Sequence, residues 1–209
     1  MDLYLFDFDK TLYAYDSRTR LPALSRITGA SQYHLASSWW AAGFETRAES
    51  GEWPTSAEYL TQFELVTGAH LTLQSWQEAR ALASTRIPGS IDALRRASTF
   101  GTVSVLSNNP SPFAESLPVL APDVTEVVDE NRLVSCQLGI RKPDAWLFQR
   151  ALDHFDAEAE NTFLTDDSAS NIAGARSLGI HAHQLTYVDG VPQTDALDAA
   201  ITLFTDRKN

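Results

Sequence analysis

The chain has 209 residues, 44% of them hydrophobic and 21% charged, and a formal net charge of −11. That much apolar material supports one substantial core and a smaller satellite, so a folded protein is expected. The acidic balance, with an isoelectric point of about 4.8, argues against nucleic acid or anionic lipid as a partner and demands local positive charge wherever a small anion binds.

No apolar run approaches the ~20 residues that cross a bilayer, and the N-terminus has neither the basic region nor the long apolar stretch of a signal peptide. A cytoplasmic protein, away from membranes, is therefore expected. The single cysteine, Cys136, has no internal disulfide partner and reads as a buried, inert thiol.

In chain order, the first apolar run is LYLF (3–6), brief enough for a buried strand, and it ends in the carboxylates Asp7 and Asp9. Residues 12–88 then read as consecutive helices, including 31–50, 56–68 and 72–84. Four tryptophans, Trp39, Trp40, Trp53 and Trp76, fall among them and read as core, and Arg18, Arg20 and Arg47 read as exposed helix charges. From IPG at 87–89 the pattern returns to alternating strands and helices. The further expected strands are TVSVL (102–106), TEVV (125–128), TFLT (162–165) and IHAHQL (180–185). Helices are expected over 143–155, where Trp146, Leu147, Ala151 and Phe155 recur at helical spacing, and over 168–179, which opens on a serine and closes on a glycine.

This alternation predicts a doubly wound, mostly parallel, Rossmann-like α/β core, formed by 1–11 and 89–209, with an all-helical domain inserted at 12–88. His181 and His183 share a strand face, but with no third ligand nearby they read as structural.

Ligands of such sheets bind beyond the carboxyl ends of the strands. There the chain places Asp7 and Asp9, then Ser107 and Asn108, then Lys142, then Asp166 and Asp167. Taken singly, each has an ordinary reading as a cap, turn or solvated charge. Brought to one sheet edge, the carboxylates make an all-oxygen setting for a hard cation such as Mg²⁺, which offsets their repulsion. Asp7 can then attack phosphorus while Asp9 exchanges a proton with the leaving group.

The order D-x-D-x-T (Asp7, Asp9, Thr11), strand-terminal Ser107-Asn108, Lys142 and Asp166-Asp167 resembles the phosphatases of the haloacid dehalogenase superfamily, with the insertion where that family carries its first-type (C1) cap. The resemblance implies an Asp7 nucleophile and an Asp9 acid and base. It also implies phosphate contacts from Thr11, Ser107, the Asn108 main chain and Lys142, and Mg²⁺ held by Asp7, the Asp9 carbonyl and Asp166 or Asp167. LSNNP, LGIRKPDAWLFQRAL, FLTDDSASNIAGARSLGI and ESGEWPTSAEYL are similar to the branch containing glucose-1-phosphate phosphatases and the N-terminal phosphatase domain of soluble epoxide hydrolases, while DKTLY is similar to pyrimidine nucleotidases. A small phosphorylated metabolite is the implied substrate, with a phosphomutase as the alternative reaction and a non-catalytic binder of phosphorylated ligands as the remaining reading.

Overall fold

The computed structural model describes residues 2–207. The chain runs β1 (Leu3–Phe6), β2 (Tyr13–Tyr15), α1 (Ser17–Thr28), α2 (Gln32–Leu35), a π-helical turn (Ala36–Trp40), α3 (Phe44–Glu49), α4 (Ser56–Thr67), α5 (Leu73–Leu82), β3 (Ser84–Arg86) and α6 (Pro88–Ala97). It continues through β4 (Thr102–Ser107), α7 (Ser111–Leu120), α8 (Pro122–Val128), β5 (Arg132–Val134), α9 (Ser135–Leu138), α10 (Ala145–Phe155), β6 (Thr162–Asp166), α11 (Ala169–Ser177) and β7 (His181–Gln184). The short strands β8 (Tyr187–Val188) and β9 (Val191–Pro192) precede α12 (Thr194–Asp206).

Five strands form one sheet in the order β5-β4-β1-β6-β7, every pair parallel. Both faces of the central strand are covered, which is why β1 is apolar at every position. Tyr4 and Phe6 join a cluster with Ile91 and Leu94 of α6, Phe113 of α7 and Ile201 and Phe204 of α12. Leu3 and Leu5 join Leu147, Phe148 and Ala151 of α10 on the other face.

The expected strand at 125–128 is instead the end of α8. Pro122 occupies its first turn, and Val124 and Val128, four residues apart, both point into the core. Burial of that helical stripe overrides the β preference of valine and threonine. The edge strand beside β4 is β5, paired with it from Val105 to Ser107. Trp146 also departs from expectation: it is 69% exposed, while Leu147, Phe148, Ala151 and Leu152 carry the buried face of α10.

Residues 12–88 are helical between two short strands. β2 and β3 pair antiparallel, so the segment leaves the sheet and returns at adjacent points, and Asp16 N–H to the Ala83 carbonyl (2.9 Å) and Ile87 N–H to the Leu12 carbonyl (3.0 Å) tie the two crossings together. Its core is aromatic. Trp39 is fully buried against Phe44, Tyr59 and Phe63 at ring-centroid separations of 5.0–5.4 Å. Trp76 is buried as well, and Trp40 and Trp53 pack against the same cluster, as expected. No helix among the described residues is long and apolar enough to cross a membrane.

Gly174 of α11 lies directly against the Pro143 carbonyl and the Phe148 ring, and a Cβ there would collide with the carbonyl and crowd the ring. Gly174→Ala is expected to lower stability by about 1–3 kcal/mol through overpacking, read as a shift of the urea midpoint. A wild-type midpoint would show that the 143 loop yields freely.

Candidate active site

The sheet register places three chain positions abreast. Phe6 pairs with both Val105 and Thr165, so Asp7 lies level with Leu106 of β4 and Asp166 of β6. Asp7 is fixed there by its own N–H, which donates to the Thr165 carbonyl at 2.9 Å.

Lys142 fills the space between the two carboxylates. Its ammonium, 1% exposed, donates to Asp7 Oδ1 (2.8 Å), Asp166 Oδ2 (2.6 Å) and the Leu106 carbonyl (2.6 Å). Burial pushes the Asp7 carboxyl up to about 8, with Lys142 pulling against the rise and the Asp166 charge adding to it. Burial also opposes the lysine charge, but Asp7 and Asp166 outweigh it and hold the ammonium above its ordinary pKa.

Asn108 sets the lysine's loop in place. Its side chain accepts the Lys142 N–H (2.8 Å) and donates to the Lys142 carbonyl (2.9 Å), a role beyond the main-chain contact expected of it.

Asp166 is saturated by donors. Besides Lys142, the Ser168 N–H and the Asn171 amide reach its oxygens at 2.9–3.0 Å. Asp167 has no side-chain donor among the described residues; burial, then the Asp166 charge, raises its carboxyl. Asp7, Asp166 and Asp167 each offer an oxygen within 4.8 Å of the others, the one such group of three or more acids, histidines or cysteines among the described residues. His181 and His183 form no such group.

Asp9 stands apart from this cluster. Its Oδ1 is paired with Arg80 of α5, and its Oδ2 accepts Asn109 Nδ2 at 3.0 Å; the same nitrogen donates to Ser107 Oγ at 2.9 Å. A tight turn aims it: the Phe8 carbonyl accepts the N–H groups of Leu12 and Tyr13, and Lys10 adopts φ 59°. Thr11 is wholly buried in that turn, and its hydroxyl has no hydrogen-bond partner among the described residues.

Arg80, Asn109 and Asn171 escaped the sequence reading. Arg80 follows Trp76 by one turn, a charge on an otherwise buried stripe, and Asn109 is the second asparagine of SNN. Arg20 corrects an expectation: it is buried, donates to Tyr15 Oη (3.1 Å) and stacks on Trp76, whereas Arg18 and Arg47 lie at the surface beside Asp16 and Glu52. Next to Lys142, Arg141 pairs with Glu49 of α3 at 2.9 Å. Burial, then the Glu45 charge, pushes the Glu49 carboxyl up to about 7. Cys136 is buried as expected, and burial drives its thiol up to about 12.

Fold and site define a doubly wound α/β enzyme core with a lysine-braced acidic centre at the carboxyl edge of its sheet. Residues 1–179 match the family model of the haloacid dehalogenase-like hydrolases, and the chain belongs to that family. Its fold is similar to a haloacid dehalogenase family enzyme of Bacteroides thetaiotaomicron (19% identity, TM-score 0.75, 89% of this chain and 94% of that one), a protein also crystallised with magnesium and inorganic phosphate. It is similar as well to a phosphatase of the family from Thermococcus onnurineus (18%, TM-score 0.63, 89% and 86%) and to the 2-haloacid dehalogenase of Pseudomonas syringae (19%, TM-score 0.65, 98% and 99%). At these identities the likeness is one of fold.

Lys142→Ala leaves Asp7 and Asp166 facing each other without a counter-charge, and is expected to cost about 3–5 kcal/mol in metal-free buffer, with part recovered by Mg²⁺. Urea denaturation with and without the metal checks this; equal stability to wild type would contradict it.

Glu49 gives a pH signature. Its folded pKa, about 7, exceeds the ordinary 4.5, so the folded state holds the proton more tightly and stability falls as pH rises between those values. Glu49→Gln should flatten that part of the melting-temperature profile, and an unchanged slope would assign the effect elsewhere.

Proposed function

We propose that the chain is a Mg²⁺-dependent phosphohydrolase of small organic phosphate monoesters, working through an aspartyl-phosphate on Asp7. The observation that carries this is the pairing of Asp7, braced by Lys142 beside two further acids, with a second carboxylate, Asp9, held separately two residues on. In this reading 1–11 and 89–209 form the catalytic core, and 12–88 form a C1-type cap that closes over the substrate and excludes bulk water.

Three carboxylate oxygens within 4.8 Å suit a hard cation. Asp7, the Asp9 main-chain carbonyl and Asp167 would hold it directly and Asp166 would orient the set, since its oxygens are already engaged by Lys142, Ser168 and Asn171. When bound, the cation neutralises the facing carboxylates and draws charge from the phosphoryl oxygens.

Asp7 attacks phosphorus, and the bond from phosphorus to the alkoxy oxygen breaks as Asp9 gives that oxygen a proton. Water then attacks the aspartyl-phosphate, Asp9 takes its proton, the Asp7–phosphorus bond breaks, and inorganic phosphate leaves. Lys142 stays protonated beside Asp7 and faces the phosphoryl oxygens with Ser107, the Asn108 main chain and Thr11, whose buried hydroxyl has no hydrogen-bond partner among the described residues.

Asp9 favours phosphate esters over organic halides, because a departing halide needs no proton and an alkoxide does. The substrate class comes from the resemblance of the chain's motifs: a small phosphorylated metabolite, a sugar phosphate or a pyrimidine nucleotide.

Phosphate release from a panel of sugar phosphates, nucleotides and small organic phosphates, with and without Mg²⁺, tests the reading. Asp7→Asn should abolish release, and Asp9→Asn should lower alkyl-phosphate turnover by about 10²–10⁴-fold with the fold intact. An isomerised sugar phosphate in place of free phosphate would convert the enzyme to a mutase. Mg²⁺-dependent binding without release would make it a binding protein.

A further inference from the structure

We infer that Arg80 is a positioning residue for Asp9: through this one ion pair the helical segment sets where the acid–base carboxylate stands. The inference rests on the phosphohydrolase reading and adds to it a residue outside the family motifs.

Arg80 is 2% exposed, although it sits on α5, more than sixty positions along the chain from Asp9. A guanidinium so far out of water requires a counter-charge, and the carboxylate that supplies it is Asp9. Two rings hold the cation flat: Tyr15 of β2 at 4.3 Å and Phe113 of α7 at 5.2 Å from the guanidinium carbon. Its Nε is buried with no hydrogen-bond partner among the described residues, so the rings and Asp9 set its position.

Asp9 is thereby gripped from two sides. Arg80 reaches one oxygen from the helical segment, and Asn109 reaches the other from the end of β4, sharing its amide with Ser107. The grip spans the chain's crossing between sheet and helices, because Asp9 leads into β2 and Arg80 leads, four residues on, into β3. Movement of α5 relative to the sheet therefore moves the carboxylate as well. A proton can pass only across hydrogen-bond distance, so this displacement governs the acid step more than it governs phosphate binding.

The competing reading is a buried ion pair that only anchors α5. Leaving-group dependence separates the two, because p-nitrophenolate departs without a proton and an alkoxide does not. The value of kcat/KM, which reports formation of the aspartyl-phosphate, is to be measured for p-nitrophenyl phosphate and for the best alkyl phosphate of the panel, in wild type, Arg80→Met and Arg80→Lys.

For Arg80→Met the alkyl phosphate is expected to lose on the order of 10²-fold, at least tenfold more than p-nitrophenyl phosphate, with part restored in Arg80→Lys. In an Asp9→Asn background the same change should add little, since Arg80 acts through Asp9. Should Arg80→Met not fold, Arg80→Lys carries the comparison alone, with the alkyl substrate again the more affected. Equal losses for both substrates, or additive losses with Asp9→Asn, would overturn the inference and leave the phosphohydrolase standing. Wild-type protein that releases phosphate from neither substrate would remove both.

Discussion

The structure depends on keeping two carboxylates side by side at the end of a buried sheet. Asp7 and Asp166 follow from the parallel register of β1 and β6, and at that spacing, away from water, they cannot both carry charge unaided. Lys142 resolves the conflict with a single ammonium shared between them. Much of the neighbourhood serves that placement: Asn108 clamps the lysine's main chain, Gly174 lets α11 approach the next residue, and Asn171 and the Ser168 N–H occupy the rest of Asp166. Such a centre holds one positive charge against several negative ones, the electrostatic condition for taking up a divalent cation.

A second constraint acts on Asp9. The tight turn after β1 carries it out of the Lys142 cluster toward the helices, where Arg80 and Asn109 divide its oxygens. The two acids of a three-residue motif thus sit in different electrostatic settings, one buried beside a shared lysine and the other at the boundary between sheet and helices. Separation of this kind lets neighbouring carboxylates take different roles. The Arg141–Glu49 pair makes a further tie across the same boundary, so the helical segment contacts the loops that carry Lys142 and Asp9 at independent points.

Much of this was legible before the structure. The strands bearing Asp7, Ser107 and Asp166 are short, apolar and bounded by turn residues, and their carboxyl ends had to share an edge once the sheet was parallel. Lys142, which taken singly reads as a solvated charge, was legible only from its place in the order of the motifs. What local pattern could not show was anything decided by packing across the chain. TEVV has strand-like composition, yet Val124 and Val128 gain more by facing the sheet from a helix. Trp146 fits the helical spacing but falls on the solvent face. Arg20 reads as a surface charge and Arg80 goes unremarked because their partners, Tyr15 and Asp9, come from other elements. Asn108 and Asn109 are adjacent and identical in type, and only the loops around them distinguish one as a clamp on Lys142 from the other as a partner of Asp9.

The central claim is that Asp7 is a nucleophile and not merely a ligand. The stereochemical course at phosphorus tests it most directly, using a phosphorothioate monoester made chiral at phosphorus with sulfur and two oxygen isotopes, and water carrying the third isotope. Two successive in-line displacements, first by Asp7 and then by water, predict retention of configuration in the released thiophosphate. Inversion would mean that water attacks the ester directly and would contradict the account.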